Sequence, residues 1–130
     1  MDSVFTKIIK GEIPCYKISE SEKFIAFLDV MPLNHGHVLV VPKIEVDYIF
    51  ELDDVVLAEI LLFAKPIALA IEKAIPCERI GLSIIGLEVP HAHLHLVPIN
   101  NADDLNFTRP KLKIDSDEME NIANRIKSFL

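Results

Sequence analysis

The segment Pro90-His91-Ala92-His93-Leu94-His95-Leu96 places three of the chain's five histidines at alternate positions. Alternate side chains of a β-strand share one face. We therefore expect His91, His93 and His95 to line a common surface, while the residues between them enter the core. Each partly desolvated imidazole needs hydrogen-bond partners. A row of three indicates a functional site rather than three unrelated structural histidines.

Two kinds of chemistry use such a row of imidazoles. A neutral imidazole can attack phosphorus when its second nitrogen is held as a donor, and a neighbouring histidine can protonate the leaving group. Alternatively, three neutral imidazoles can hold zinc and leave one coordination position open. Three rings on a regular strand are spread over ~13 Å, so they converge poorly on one ion. The spacing favours the nucleophile and keeps a three-histidine metal hydrolase as the less favoured enzyme class.

Length and composition bound the rest of the molecule. The 130 residues suit a single domain spanning 1–130, and a hydrophobic content of 51% allows a sizeable core. The net charge of -7 argues against binding a nucleic-acid polymer, which needs a basic surface. Cys15 and Cys77 predict free thiols in a reducing compartment. With no signal-peptide pattern and no apolar window long enough for a membrane span, we expect a cytoplasmic protein without membrane association.

Outward from the histidine segment, the pattern predicts three helices and about five strands. A short N-terminal helix follows Ser3, a long central helix runs from Asp53 to about Ile75, and a C-terminal helix follows Asp115. The predicted strands cover residues 16–19, 24–28, 38–41, 80–85 and 91–98. Short turns between neighbouring strands favour an antiparallel sheet in an α+β domain.

The central helix is apolar on nearly every side. Its polar positions Glu59, Pro66 and Lys73 are seven residues apart and form one narrow stripe. A helix with this pattern must be covered on more than the side that faces its own sheet. We infer a second partner surface, for which another copy of the chain is the simplest candidate.

Four motifs in this order resemble the histidine-triad (HIT) family, specifically its small nucleoside phosphoramidases. They are Phe-Thr-Lys-Ile-Ile-Lys-Gly-Glu-Ile-Pro at 5–14, Phe-Leu-Asp at 27–29, Gly-His-Val-Leu-Val-Val-Pro at 36–42, and the His-x-His-x-His segment followed by apolar residues and Pro98. The resemblance spans nearly the whole chain. It implies a HIT-like fold and a homodimer whose two sheets join, with the long helix in the interface.

The resemblance also implies hydrolysis or transfer of a nucleoside monophosphate group, from a P–N or P–O–P substrate, through a covalent nucleotidyl-histidine. It makes His93 the nucleophile and His95 the phosphate contact and proton donor, with His91 and His37 in support. Asp29 would hold the ribose hydroxyls. Four apolar residues would wall the base pocket, namely Phe5, Ile8, Phe27 and Val30. The implied partner is a purine nucleotide or nucleotide conjugate, and no cofactor is needed.

Two parts of the chain depart from the family pattern. Many bacterial relatives carry a structural zinc where this chain has Ser3, Thr6 and Glu45 beside His91, so we predict no metal. The loop before the triad is also shorter, and Glu88 stands where relatives place a small residue beside the phosphate. A carboxylate there repels a phosphate unless it turns away or meets a cationic leaving group. A non-catalytic nucleotide-binding protein therefore stays open as the second interpretation.

Overall fold

One antiparallel sheet organises the computed structural model, which describes residues 2–130. Its strands are β1 (Lys17–Glu20), β2 (Phe24–Leu28), β3 (Val38–Pro42), β4 (Arg79–Ser83) and β5 (Leu94–Ile99). They lie in the order β1-β2-β3-β5-β4, and each neighbouring pair is antiparallel. The last strand of the sequence is thus inserted between β3 and β4, and β4 forms an edge.

Three helices complete the fold: α1 (Val4–Ile9), α2 (Asp54–Ala74) and α3 (Ser116–Lys127). Each begins after a residue whose side chain accepts a hydrogen bond from a backbone N–H of the first turn, and these caps are Ser3, Asp53 and Asp115. Short 3₁₀ turns cover Ile49–Glu51 and Ala102–Leu105. The predicted α+β class, with one antiparallel sheet of five strands and three helices, is confirmed.

The central strands β2, β3 and β5 are buried on both faces of the sheet, and the two faces serve different purposes. On one face, alternate strand residues such as Ala26, Val40 and Leu96 form the main core with α2 and α3. On the other face, the intervening residues pack with Phe5 of α1, and they are Ile25, Phe27, Leu39 and Val41. Because α1 is short, it leaves part of this second face for functional side chains.

The predicted strand at 91–98 begins three residues later than expected. Its pairing with β3 ends where Val40 meets Leu94. The preceding backbone turns away, since the Ala92 N–H donates to the Val46 carbonyl at 2.7 Å. Pro90 has no N–H to offer a strand ladder, which fits the loss of pairing just before the triad. The strand predicted at 80–85 likewise ends early, at Ser83 opposite His95.

The long helix α2 carries apolar side chains on its exposed side as well as on its buried side. Its buried residues are Ile60, Ala64, Ile67, Ala70, Ile71 and Ala74. Four large apolar side chains project from it and are exposed in the single chain, namely Val55, Leu61, Leu62 and Leu69. Among residues 2–130, none of the helices has the length and apolarity needed to cross a membrane.

Candidate active site

Four histidines meet on the sheet face that carries α1. His95 lies in β5, paired with Leu39 of β3, while His37 immediately precedes β3 and His91 and His93 precede β5. All four side chains are buried. The ring centroids of His93 and His95 are 4.8 Å apart. The row expected from alternation does come together, although only His95 lies in a regular strand.

The hydrogen bonds of His93 determine which of its ring nitrogens carries the proton. Nδ1 lies 2.6 Å from the backbone carbonyl oxygen of His91. A carbonyl oxygen only accepts, so Nδ1 must donate, and Nε2 of the neutral ring is left with a free lone pair. Burial lowers the pKa of His93 below its ordinary value, against the opposing effect of the bond to the His91 carbonyl. The neutral ring is thus the form present near pH 7.

A second chain of hydrogen bonds orients His95. The Leu33 N–H donates to Nδ1 of His37 at 3.0 Å, so His37 carries its proton on Nε2. That N–H donates to Nδ1 of His95 at 3.0 Å. His95 therefore carries its own proton on Nε2. Burial keeps both rings neutral, because it lowers the pKa of His37 to about 3 and that of His95 to about 4.

The two neighbouring rings thus present complementary nitrogens. His93 offers an unprotonated Nε2, and His95 offers an Nε2–H. A nucleophile beside a hydrogen-bond donor is the pair needed to attack a phosphoryl group and to bind its oxygen or leaving atom.

His91 plays a different part, because both of its ring nitrogens are occupied within the protein. Nε2 donates to the carbonyl of Pro42 at 2.8 Å. Nδ1 is then the acceptor, and it lies 2.8 Å from the hydroxyl oxygen of Ser3. The ring is completely buried, so its contribution to the site is the backbone carbonyl that holds His93.

Asp29 follows β2 and lies at the rim of the histidine cluster. Its Oδ2 is 3.5 Å from Nε2 of His37, and its Oδ1 accepts from the Met31 N–H at 2.9 Å. Burial raises the pKa of Asp29 to about 6, so the carboxyl is ionised at neutral pH. The carboxylate stays partly exposed and can accept hydrogen bonds from ligand hydroxyls.

The group of side chains that could hold a metal ion differs from the three triad histidines. Within residues 2–130, the one group of three such side chains is Asp29, His37 and His95, whose ligand atoms lie within 4.8 Å of one another. Two of these nitrogens already share the hydrogen bond between His37 and His95. His91 has no free ring nitrogen for an ion, which argues against a metal held by the three triad histidines.

Three of the four predicted base-pocket residues lie together. The Phe5 ring centroid is 4.9 Å from that of His93 and 5.6 Å from that of Phe27. Ile8 packs against the same cluster and is partly buried. Val30, in contrast, is 67% exposed and lies outside this cluster.

Glu88 is exposed in the loop that precedes the triad. Its negative charge adds to burial in raising the pKa of Asp29, and it also raises the pKa of His93 against the lowering effect of burial. The Glu88 charge therefore acts on both residues. Gly86, two residues earlier in the same loop, has a φ of 73°, a value that favours glycine.

Two residues of the segment after β5 were missed by the sequence analysis. The Phe107 ring centroid lies 4.6 Å from that of His95. Lys111 lies 5.8 Å from the Phe107 ring, and its ammonium donates to the Phe107 carbonyl at 2.6 Å. The Lys111 charge contributes to lowering the pKa of His37 and His95, after burial. No role was assigned from the sequence to the segment that follows β5, in which one aromatic residue, Phe107, was the available signal.

A recess borders the nucleophile. Its volume is about 710 Å³, and His93 is one of its lining residues. Its main apolar lining residues are Tyr48, Phe50, Leu82, Ile84, Ile85 and Leu87. The recess joins the site to the end of the edge strand β4.

Sequence comparisons connect this geometry to proteins of known family. A model of the HIT domain matches residues 10–102. An adenosine 5'-monophosphoramidase, hnt1 of Schizosaccharomyces pombe, is 34% identical, and the match covers 98% of both chains. The adenylylsulfatase HINT3 of Arabidopsis thaliana is 32% identical over 94% of this chain and 66% of its own length.

Solved structures give the same result. A HIT-like protein from Bartonella henselae superposes with a TM-score of 0.86 at 27% identity, covering 99% of this chain and 97% of its own. A Zn-bound histidine triad family protein from Mycobacterium smegmatis has a TM-score of 0.83 at 28% identity, with coverages of 99% and 93%. Both matches extend over nearly the entire chain.

Proposed function

The chain belongs to the HIT-domain family, and from that membership we propose that it cleaves nucleoside monophosphate conjugates through a covalent bond to His93. One observation carries the proposal. The unprotonated Nε2 of His93 lies beside the Nε2–H of His95, and each state is enforced by a backbone group. The names of the relatives, a monophosphoramidase and an adenylylsulfatase, support cleavage of a bond from phosphorus to a leaving nitrogen or to an anhydride oxygen.

In the first step, the lone pair of His93 Nε2 attacks phosphorus. The new P–N bond forms as the bond from phosphorus to the leaving nitrogen or oxygen breaks, and the leaving atom takes up a proton from solvent water. The His91 carbonyl stabilises the positive ring that results, because it accepts from Nδ1–H. The Nε2–H of His95 binds the phosphoryl group.

In the second step, water attacks the same phosphorus. The bond between phosphorus and His93 Nε2 breaks and its electron pair returns to Nε2, the attacking water gives one proton to the solvent, and a nucleoside monophosphate is released. The histidine returns to its neutral state, so no cofactor is consumed. If another nucleophile replaces water, the same intermediate gives group transfer.

The remaining site residues are proposed to bind the nucleoside. Phe5, Phe27 and Ile8 offer an apolar wall beside His93 that suits a purine base. Asp29 offers a carboxylate for the ribose hydroxyls. Val30, which lies outside that cluster, is proposed to border the base at the exposed edge of the pocket. Glu88 is proposed to face the phosphate region, where its charge would favour cationic leaving groups.

A nucleotide-binding protein with little turnover is the second candidate, and Glu88 is the observation that favours it. Its negative charge acts on His93 and Asp29, where an anionic phosphate would be repelled. The complete pair of oriented histidines favours the enzyme.

We also propose that residues 1–130 form a single domain that works as a cytoplasmic homodimer. The exposed apolar side of α2 and the edge strand β4 form the surface that a second copy would cover, and α2 contacts β4 within the chain.

The direct test is His93→Ala, assayed on adenosine 5'-phosphoramidate. Removing the nucleophile should lower turnover by at least about three orders of magnitude while nucleotide binding persists. The matched control is His35→Ala, because His35 is exposed outside the cluster. Mass spectrometry of the wild type, denatured rapidly at alkaline pH where a P–N bond to histidine survives, should detect a nucleotidyl adduct. Near wild-type turnover in the His93 variant would refute the assignment.

A further inference from the structure

Side chains from three separate segments of the chain form a hydrogen-bonded cluster around His91. The four residues are Ser3, Thr6, Glu45 and His91. One carboxylate oxygen of Glu45 accepts from the Ser3 N–H at 2.7 Å and from the Thr6 hydroxyl. The Ser3 hydroxyl accepts from the Thr6 N–H at 3.0 Å and lies 2.8 Å from His91 Nδ1. We call these four residues the clamp.

The donors and acceptors of the clamp are consistent with one arrangement of protons. His91 Nε2 must donate to the Pro42 carbonyl, so Nδ1 must accept, and the Ser3 hydroxyl donates to it. The Thr6 hydroxyl is 3.4 Å from the same nitrogen but is directed to Glu45. Glu45 thus prevents Thr6 from competing with Ser3 for His91.

The clamp residues do not fit the structural zinc that the family resemblance implies for this location. Zinc sites use thiolates, imidazoles and carboxylates, whereas two of these four residues offer only hydroxyl groups. The one imidazole has both nitrogens engaged by Ser3 and Pro42. The residues satisfy one another without an ion.

We propose that Glu45 is a positioning residue. The clamp holds this part of the chain together with hydrogen bonds, at the location where many relatives carry a structural zinc. It ties the start of α1 to His91 and fixes the His91 backbone whose carbonyl holds His93. This inference rests on the proposed function of His93, since positioning matters only if that ring attacks phosphorus.

The geometry gives the clamp two routes to the site. Through Ser3 it holds the His91 ring in place. The backbone carbonyl oxygen of His91 accepts the hydrogen bond from His93 Nδ1–H, with 2.6 Å between nitrogen and oxygen. Through α1 it holds Phe5, whose ring lies 4.9 Å from His93. Glu45 stays ionised at neutral pH, since its hydrogen bond from Thr6, followed by that from the Ser3 backbone, lowers its pKa to about 2.

The test compares Glu45→Ala with the conservative Glu45→Gln, which keeps an acceptor oxygen. Asp2→Ala is the matched control, because Asp2 pairs with Lys10 at 2.7 Å beside the same helix without touching His91. We expect Glu45→Ala to lower kcat about tenfold, as loss of a charged hydrogen-bond acceptor does. Glu45→Gln should recover most of that loss, and Asp2→Ala should stay within about twofold.

A second readout does not depend on turnover. In ¹⁵N-histidine spectra, the wild type should show His91 protonated on Nε2 and His93 protonated on Nδ1. In Glu45→Ala, we expect the His93 Nδ1–H to exchange with solvent at least about tenfold faster, because local opening exposes it. Unchanged exchange and unchanged kcat in Glu45→Ala would overturn the proposal, as would equal losses in Asp2→Ala. If the exchange rate changes while His93→Ala keeps full activity, the proposed function fails but the clamp stands.

A metal can also be used to replace the clamp. The triple variant Ser3→Cys, Thr6→Cys, Glu45→His supplies, with His91, the ligand types that zinc prefers. We expect it to bind one zinc per chain and to slow His93 Nδ1–H exchange back to the wild-type rate, and chelation should reverse both. Stoichiometric zinc in the wild type, with activity lost on chelation, would overturn the proposal.

Discussion

Hydrogen bonds to backbone groups set the protonation state of each histidine in the site. His93 donates to a backbone carbonyl. His37 accepts from a backbone amide at Nδ1 and therefore donates from Nε2 to Nδ1 of His95. The side chains are buried, so water does not compete for these bonds. A neutral nucleophile and a neutral donor can therefore persist well below the pH at which a free histidine would be protonated.

This arrangement predicts the acid limb of the pH–rate profile. Burial lowers the pKa of His93 below the ordinary value of about 6.5, so the acid limb of kcat/KM that reports this ring should lie at lower pH than the titration of a free histidine. The Glu88 charge raises the pKa of His93, so Glu88→Gln should move the limb to still lower pH. Glu22→Gln, an exposed carboxylate outside the site, is the control. A limb in Glu88→Gln at higher pH than in the wild type would contradict this.

Phe107 is the second residue whose substitution we expect to alter the chemistry. Its ring packs edge-on against His95 with centroids 4.6 Å apart. Phe107→Ala opens that side to water, and the better-solvated ring should gain a pKa closer to the ordinary value. We expect kcat to fall about tenfold with a smaller change in KM. The measurement is steady-state kinetics alongside histidine NMR titration, with Phe129→Ala as the control because Phe129 is exposed at the C-terminus. An unchanged titration of His95 would count against the idea.

At the scale of elements, the sequence predicted the helix starts and strand positions that depend on residues close together in the chain. The caps Ser3, Asp53 and Asp115 mark the helix starts, because their side chains satisfy free N–H groups in the first turn. Continuous apolar runs located β2 and β3 to within one residue. The start of β5 could not be placed in this way, because the partner strand decides where pairing ends. Val40 is the last β3 residue to pair with it, opposite Leu94.

The same division applies to the site. The alternating histidines form a local pattern, so their cluster could be predicted. Phe107 and Lys111 reach His95 only because the chain folds back after β5, and no periodic signal announces such a contact. The clamp was also invisible, since the sequence indicated only that zinc ligands were missing.

At the scale of the whole molecule, α2 leads to a prediction about assembly. Leu62 is 71% exposed on this helix in the single chain, and burying a leucine contributes about 1.5–3 kcal/mol. A two-fold interface would use each such residue twice. We expect a dimer by sedimentation at micromolar concentration and dissociation in Leu62→Glu. Ile44→Glu, at an exposed site away from α2, should remain dimeric. A wild-type monomer at that concentration would refute the dimer.

The buried histidines also determine how the stability of the whole molecule depends on pH. Unfolded histidine titrates near pH 6.5, whereas burial lowers the pKa of His37 to about 3 and of His95 to about 4 in the folded chain. Between these limits the unfolded state binds more protons, so the free energy of unfolding falls as the pH falls. Asp29 acts in the opposite direction, because burial raises its folded pKa to about 6, and the folded state binds its proton first.

From pH 6 to 4, His37 and His95, together with His93, therefore oppose Asp29, and each uncompensated proton contributes a slope of about 1.4 kcal/mol per pH unit. Asp29→Asn removes the opposing group, so its slope should be steeper than that of the wild type by up to about 1.4 kcal/mol per pH unit. Urea unfolding at a fixed protein concentration, repeated at pH 7, 6, 5 and 4.5, measures both slopes. Glu118→Gln, a surface carboxylate on α3, should leave the slope unchanged. A shallower slope in Asp29→Asn than in the wild type would show that this carboxyl is not held protonated by burial in the folded state.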